Sequence, residues 1–169
     1  LILILVSGEL TMKQGWFSTT KDAIYEQRQL VVILEHAGVN VLDVVGDSAE
    51  FSFDAGRALI EKSAKLAYKN KLHVAKGFPR QKDFINKMLG NWMEYQFDAV
   101  INSRRFSTLL PSRWVKSVHR SEYGIQDMER GSPDRIVLDN EGNFNALISI
   151  KLHGDIKKSP ENLDTIFSW

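Results

Sequence analysis

The chain has 169 residues, of which 43% are hydrophobic and 25% charged, with a net charge of +1 and no cysteine. That balance suits a globular domain with an adequate core. The missing cysteines exclude a disulfide scaffold, a thiolate zinc site and a cysteine nucleophile. The charge is strongly segregated. Residues 1–56 hold 3 Lys/Arg and 8 Asp/Glu, residues 57–120 hold 14 and 4, and residues 121–169 hold 5 and 9. A basic middle between acidic ends suits a phosphate-rich partner. The competing reading is charge pairing between the segments.

Leu1–Leu10 (LILILVSGEL) reads as a buried strand. Its apolar start, Leu1–Val6, is too short to span a bilayer and lacks the basic region and cleavage site of a signal peptide. A cytoplasmic, intracellular protein with no membrane partner is the expectation. Ser18–Gln29 reads as a helix capped by Ser18, Thr19 or Thr20. Leu30–Leu34 reads as a second strand, and Val39–Val45 as a third apolar run of either type. Phe53–Lys71 is the clearest helix: Ala55, Leu59, Ile60, Ala64, Leu66 and Ala67 form an apolar stripe, and Arg57, Lys62, Lys65 and Lys69 a cationic one. Leu72–Ala75 reads as a short strand, Gly77-Phe78-Pro79 as a turn, Arg80–Gln96 as a helix and Phe97–Ile101 as a strand. Val115–Tyr123 reads as a strand preceding a hairpin. Ser159-Pro160 starts a final helix, Pro160–Trp169, with Ser as N-cap and Pro at the first position. The alternation predicts a single α/β domain over residues 1–169, with a mixed central β-sheet flanked by helices. Any subdivision falls near 77–79 or 103–111.

The stretch most suggestive of chemistry is Gly131–Lys151, GSPDRIVLDNEGNFNALISIK. Arg135–Leu138 is a short strand, Asp139–Gly142 is turn chemistry, and Phe144–Leu152 resumes as a strand. Side chains alternate along a strand, so Ser149 and Lys151 share a face. The hairpin also returns the end of its second strand to the start of its first, which makes Asp134 and Lys151 neighbours. A carboxylate beside a lysine suits a divalent cation and an attacking water. Mg²⁺ takes one or two carboxylates, with waters and substrate phosphate completing its shell.

Pro133-Asp134 on one strand and Ser149-Ile150-Lys151 on the next resemble the PD-(D/E)XK nuclease superfamily, whose fold is restriction-endonuclease-like. The motif is Pro-Asp, a turn, then Glu/Asp-x-Lys, and here Ser149 stands in the acid's place. The resemblance covers 131–151 only. It implies a restriction-endonuclease-like core in the C-terminal half and a Mg²⁺-dependent (or Mn²⁺-dependent) endodeoxyribonuclease. By the same resemblance Asp134 and the Ile150 main-chain carbonyl are metal ligands and Lys151 orients the water. Asp134, Ser149 and Lys151 are thus the expected catalytic group. Some members of the superfamily carry a serine there and recruit an acid from elsewhere; Glu122, Glu129 and Asp155 are the candidates, between which the sequence does not choose.

The expected partner is nucleic acid, DNA rather than RNA, held by Arg80, Lys82, Arg104, Arg105, Arg113, Trp114, Lys116 and Arg120. Basic residues interleaved with Phe106 and Trp114 suit phosphate contact and base stacking. A homodimer is compatible with a two-fold duplex target. Two other classes compete: a nucleic-acid-binding module without hydrolysis, and a regulatory protein-interaction domain, since the order of elements in the first 75 residues loosely resembles a STAS domain. The histidines, His36, His73, His119 and His153, show no metal-site spacing among themselves; His153 shares the Lys151 face.

Overall fold

The computed structural model describes residues 3–6, 9–12, 21–46, 52–103, 110–123 and 133–150. The first apolar stretch is not one strand. It folds back as a hairpin of β1 (Leu3–Val6) and β2 (Glu9–Met12), paired antiparallel with Leu3 opposite Met12. Ser7-Gly8 between them supplies the residue types of a turn.

Helix α1 runs from Lys21 to His36. It includes Leu30–Leu34, which was expected as a strand. A short apolar run fits a buried strand and a buried helix equally, and here Leu30, Val31, Ile33 and Leu34 are all buried in the helical core. The helix ends in a Schellman arrangement. The Val39 N–H donates to the Leu34 carbonyl and the Gly38 N–H to the Glu35 carbonyl, with Gly38 at φ +67°. Val39–Val45 contains only a short 3-10 turn, Val41–Asp43, capped by the Asn40 side chain, which accepts from the Leu42 N–H at 2.9 Å.

Helix α2 spans Phe53–Lys69, close to its expected range, and starts at Ser52, whose hydroxyl accepts from the Ala55 N–H at 3.3 Å. It buries Gly56, Ile60, Ser63, Ala64 and Ala67. Ala55 and Leu66, expected on the apolar stripe, are exposed. Its C-terminus repeats the Schellman pattern, Leu72 N–H to Ala67 O and Lys71 N–H to Tyr68 O, but with Lys71 at φ 55° in the position that favours glycine. Leu72–Ala75 is not a strand. Its 3-10 turn, His73–Ala75, satisfies its own backbone and buries Val74 and Ala75.

Helix α3 runs unbroken from Gln81 to Ser103 and absorbs the expected strand Phe97–Ile101. The reason lies in its surroundings. One side, with Phe84, Met88, Leu89, Trp92, Tyr95 and Ala99, packs into the core shared with α1 and α2. The other side packs on a sheet. A helix covered on both sides loses the one-sided periodicity that marks a helix in sequence. Trp92 Nε1 donates to the Val44 carbonyl, and Gln96 bonds both the N–H and the carbonyl of Gly46, which fastens the 41–46 segment to α3.

The sheet is β3 (Lys116–His119), β4 (Arg135–Leu138) and β5 (Phe144–Ile148), in that spatial order and antiparallel throughout. Among the described residues there is no parallel pairing, so the sheet is antiparallel rather than mixed. β3 is shorter than expected: Arg120–Tyr123 is a 3-10 turn. The β4–β5 turn is as expected. The Asp139 carboxylate accepts from the Glu141 and Asn143 N–H groups at 3.0 and 2.8 Å, and Gly142 sits at φ +82°. These bonds, that from Asn143 first, hold the Asp139 carboxyl below its ordinary value. Among the described residues the protein is therefore a mixed α/β molecule of three helices and a small three-stranded antiparallel sheet, with the N-terminal hairpin besides. Helical structure at 30–34 and 3-10 structure at 73–75 replace two strands on which the STAS-like order rested. No helix among the described residues is long and apolar enough to cross a membrane. The expected helix Pro160–Trp169 lies outside the described residues.

Candidate functional site

Asp134 stands at the start of β4, and its N–H donates to the Ile148 carbonyl at 2.9 Å. One oxygen of its carboxylate accepts from the Ile150 N–H at 2.5 Å and from the Ser149 hydroxyl at 3.2 Å. The hairpin thus joins three of the expected site residues, Asp134, Ser149 and the Ile150 main chain, 15 and 16 positions apart in sequence. Lys151, Asp155 and His153 lie outside the described residues, as do Glu129, Arg104, Arg105 and Phe106. Glu122 is exposed on the turn after β3. Its charge acts on Asp98.

The expected nucleic-acid residues divide into two groups. Arg80 and Lys82 lie at the N-terminal end of α3, where Arg80 pairs with Asp83 at 2.7 Å. Lys116 is on β3, beside the far end of α3, where Asn102 brackets the Ser117 main chain. At 1.5 Å per residue the two ends of α3 are roughly 30 Å apart. Arg113 and Lys116 are exposed, whereas Trp114 and Arg120 are half-buried. Some of the basic segment is engaged internally: Lys87 lies 3.4 Å from Glu26 of α1 and Lys65 lies 2.8 Å from Glu61.

The densest chemistry lies elsewhere, between the sheet and the helices. On α3, Glu94, Asp98 and Asn102 recur at helical spacing and form a polar stripe towards the sheet. Arg135, in β4, is fully buried and meets it. Its Nε donates to both oxygens of Asp98 at 3.0 and 2.9 Å, and its Nη1 to Glu94 at 2.5 Å and to the Asp134 carbonyl at 2.8 Å. The Ser117 hydroxyl donates to Asp98 at 2.6 Å. Arg135 also stands over the Tyr95 ring, 5.4 Å from its centroid. Next to Arg135 in the register is His119, 1% exposed, whose Nε2 is 3.8 Å from Glu26 Oε2. Its Nδ1 is 2.6 Å from the Ser121 hydroxyl and 3.3 Å from the Ser121 N–H.

Three carboxylates (Glu26, Glu94 and Asp98) thus face one buried guanidinium and one half-exposed ammonium, that of Lys87. Burial raises the Glu94 carboxyl to about 7. Arg135 and Lys87 oppose the rise; the charges of Glu26 and Asp134 add to it. Burial likewise raises Asp98 to about 6 against Arg135 and the Ser117 hydrogen bond. Burial alone would lower the Arg135 guanidinium, but Asp98 and Glu94 hold it above its ordinary value. Burial, then the charges of Arg135, Arg120 and Lys87, push His119 down to about 3, so the imidazole is neutral near pH 7.

This cluster was not anticipated from sequence, although two signals pointed to it. Glu94 and Asp98 sit four apart in the largely apolar stretch 92–101 of α3, and Arg135 opens a run of buried β-formers. No protein-family model, curated protein or solved structure matches this chain.

Proposed function

We propose that the protein is a metal-dependent nuclease acting on DNA, with its chemical centre on the β4–β5 hairpin and a restriction-endonuclease-like core. The observation that carries this reading is the contact of the Asp134 carboxylate with the Ile150 N–H and the Ser149 hydroxyl. The Pro-Asp carboxylate thereby lies against the main chain of the residue immediately before Lys151.

The donor set fits Mg²⁺ or Mn²⁺. One carboxylate, Asp134, and one main-chain carbonyl, Ile150, leave the remaining positions to waters and substrate phosphate, the balance Mg²⁺ prefers. A bound ion there would supply Lewis-acid stabilisation of the phosphorane-like charge. Asp134 orients the site, and the Ser149 hydroxyl fixes the carboxylate's rotamer. The Lys151 ammonium positions the attacking water and offsets charge developing on the phosphodiester. Arg113, Lys116 and Arg120 hold the backbone, since phosphate contacts position a nucleic acid without reading its sequence.

A second reading is favoured by the same contact. Ser149 is a neutral donor where the motif has an acid, so Asp134 also serves as a hydrogen-bonded strand-end cap in a module that binds DNA without cutting it. Nicking of supercoiled plasmid with Mg²⁺ or Mn²⁺ decides between them. The nuclease reading expects nicking that EDTA and Lys151→Ala abolish. A gel shift without nicking at either metal supports the binding module.

A further inference from the structure

Three chain segments far apart in sequence deliver metal-ligating groups to one point. Glu26 comes from α1, Glu94 from α3 and His119 from β3, and one ligating atom of each lies within 4.8 Å of the others. His119 is buried, and its Nε2 has no hydrogen-bond partner; neither has Glu26 Oε2, the atom it faces. Leaving a buried polar atom unpaired costs about 1–3 kcal/mol, and native interiors hold few such atoms. Two of them facing each other point to a ligand that satisfies both.

We propose that Glu26, Glu94 and His119 form a buried site for a divalent transition-metal ion of the Zn²⁺ class. The ligand chemistry selects the ion. One imidazole nitrogen with two carboxylate oxygens suits Zn²⁺, whereas Mg²⁺ and Ca²⁺ favour oxygen alone. The distances are close to what is required. Ligands about 2.1 Å from a tetrahedral Zn²⁺ stand roughly 3.4 Å from one another. The Glu26–His119 pair at 3.8 Å is near that, and Glu94 reaches it by a side-chain adjustment of about an ångström. The surroundings supply the outer shell such sites use. The Ser121 hydroxyl lies 2.6 Å from His119 Nδ1, and the Ser121 N–H donates to the same nitrogen at 3.3 Å, so ligation through Nε2 requires Nδ1 to give up that weak main-chain contact and donate to the hydroxyl. Lys87 holds the other oxygen of Glu26 at 3.4 Å, and Arg135 holds Glu94 at 2.5 Å. Three ligands leave one position open, the count of a zinc site that binds a water or an exogenous group.

The site does not rest on the hairpin chemistry, because it uses none of Asp134, Ser149 and Lys151 and its readout is binding. The experiment is calorimetric titration of the chelator-treated full chain with Zn²⁺, alongside thermal unfolding in Zn²⁺ and in EDTA. The proposal expects one high-affinity Zn²⁺ per chain and a higher unfolding temperature in Zn²⁺ than in EDTA. It also expects at least a tenfold loss of affinity in Glu26→Gln, a near-isosteric change on a partly exposed side chain, with the EDTA unfolding temperature retained. His119→Gln is expected to match it, and Glu26→Gln alone carries the test if that variant does not fold. Absence of Zn²⁺ binding overturns the site, and so does Zn²⁺ binding of undiminished affinity in Glu26→Gln. Equal affinity for Mg²⁺ would overturn the ligand assignment.

Discussion

Replacing Arg135 with Met removes the buried cation that faces Glu94 and Asp98 while keeping most of the side-chain volume. Arg135 is 0% exposed and donates three hydrogen bonds to these two carboxylates and one to the Asp134 carbonyl. Breaking a buried ion pair on one side costs about 3–5 kcal/mol, because the partner stays buried and uncompensated. Here the cost depends on pH. Glu94 is raised to about 7 and Asp98 to about 6 even with the guanidinium present. Without it both rise further. A folded-state carboxyl above its unfolded value stabilises the fold at low pH, and that stabilisation is lost as pH rises through the folded value. The variant therefore loses more stability than the wild type between pH 5 and pH 8. Urea unfolding in EDTA, followed by the fluorescence of buried Trp92, measures this. The expectation is a destabilisation of about 3–5 kcal/mol at pH 8, shrinking at pH 5 to about 1–2 kcal/mol for the lost hydrogen bonds. A destabilisation equal at the two pH values, or below about 1 kcal/mol at pH 8, would refute the uncompensated-charge reasoning.

In the wild type with EDTA, Glu94 and Asp98 should pull stability down from about pH 4 to about pH 7, the range in which the folded chain holds protons that the unfolded chain has lost, and the slope should vanish above it; Glu94→Gln should flatten that slope in pH-dependent urea melts. Below pH 6.5 His119, held down to about 3, acts in the opposite direction, so its loss of stability on acidification offsets the carboxyl gain, and His119→Gln should make the acid limb steeper in favour of folding. Lys71→Gly should raise the unfolding free energy by about 1 kcal/mol in thermal melts, because a lysine at φ 55° carries left-handed strain that glycine lacks. Lys116→Ala should weaken DNA binding to a similar degree across sequences and reduce the salt dependence by about one phosphate contact, measured by gel shift over a salt series.

The hairpin was legible because its signals are local. Turn residues at 139–142 and β-formers on either side fix a strand–turn–strand without tertiary help, and the return of Ile150 onto Asp134 follows from that alone. Helix α2 was legible because it keeps a polar face. The expected strands at 30–34 and 97–101 became helix because both segments are enclosed, and a fully enclosed apolar run carries no periodicity that separates the two states. The carboxylate–arginine–histidine cluster escaped for another reason. Glu26, Glu94, His119 and Arg135 meet only through the packing of α1, α3 and the sheet, and their spacing in sequence means nothing until those three are in place. Charge segregation misled in part as well: Lys87, counted with the basic segment, pairs with Glu26 of α1 at 3.4 Å.

The central claim, that a cation on the hairpin cuts DNA, is tested most directly by plasmid nicking in Mg²⁺ with Asp134→Asn beside Glu26→Gln. Asp134→Asn, which keeps the shape of the side chain but not its charge, is expected to abolish nicking while DNA binding persists and Glu26→Gln still cuts. Nicking undiminished in Asp134→Asn would contradict it.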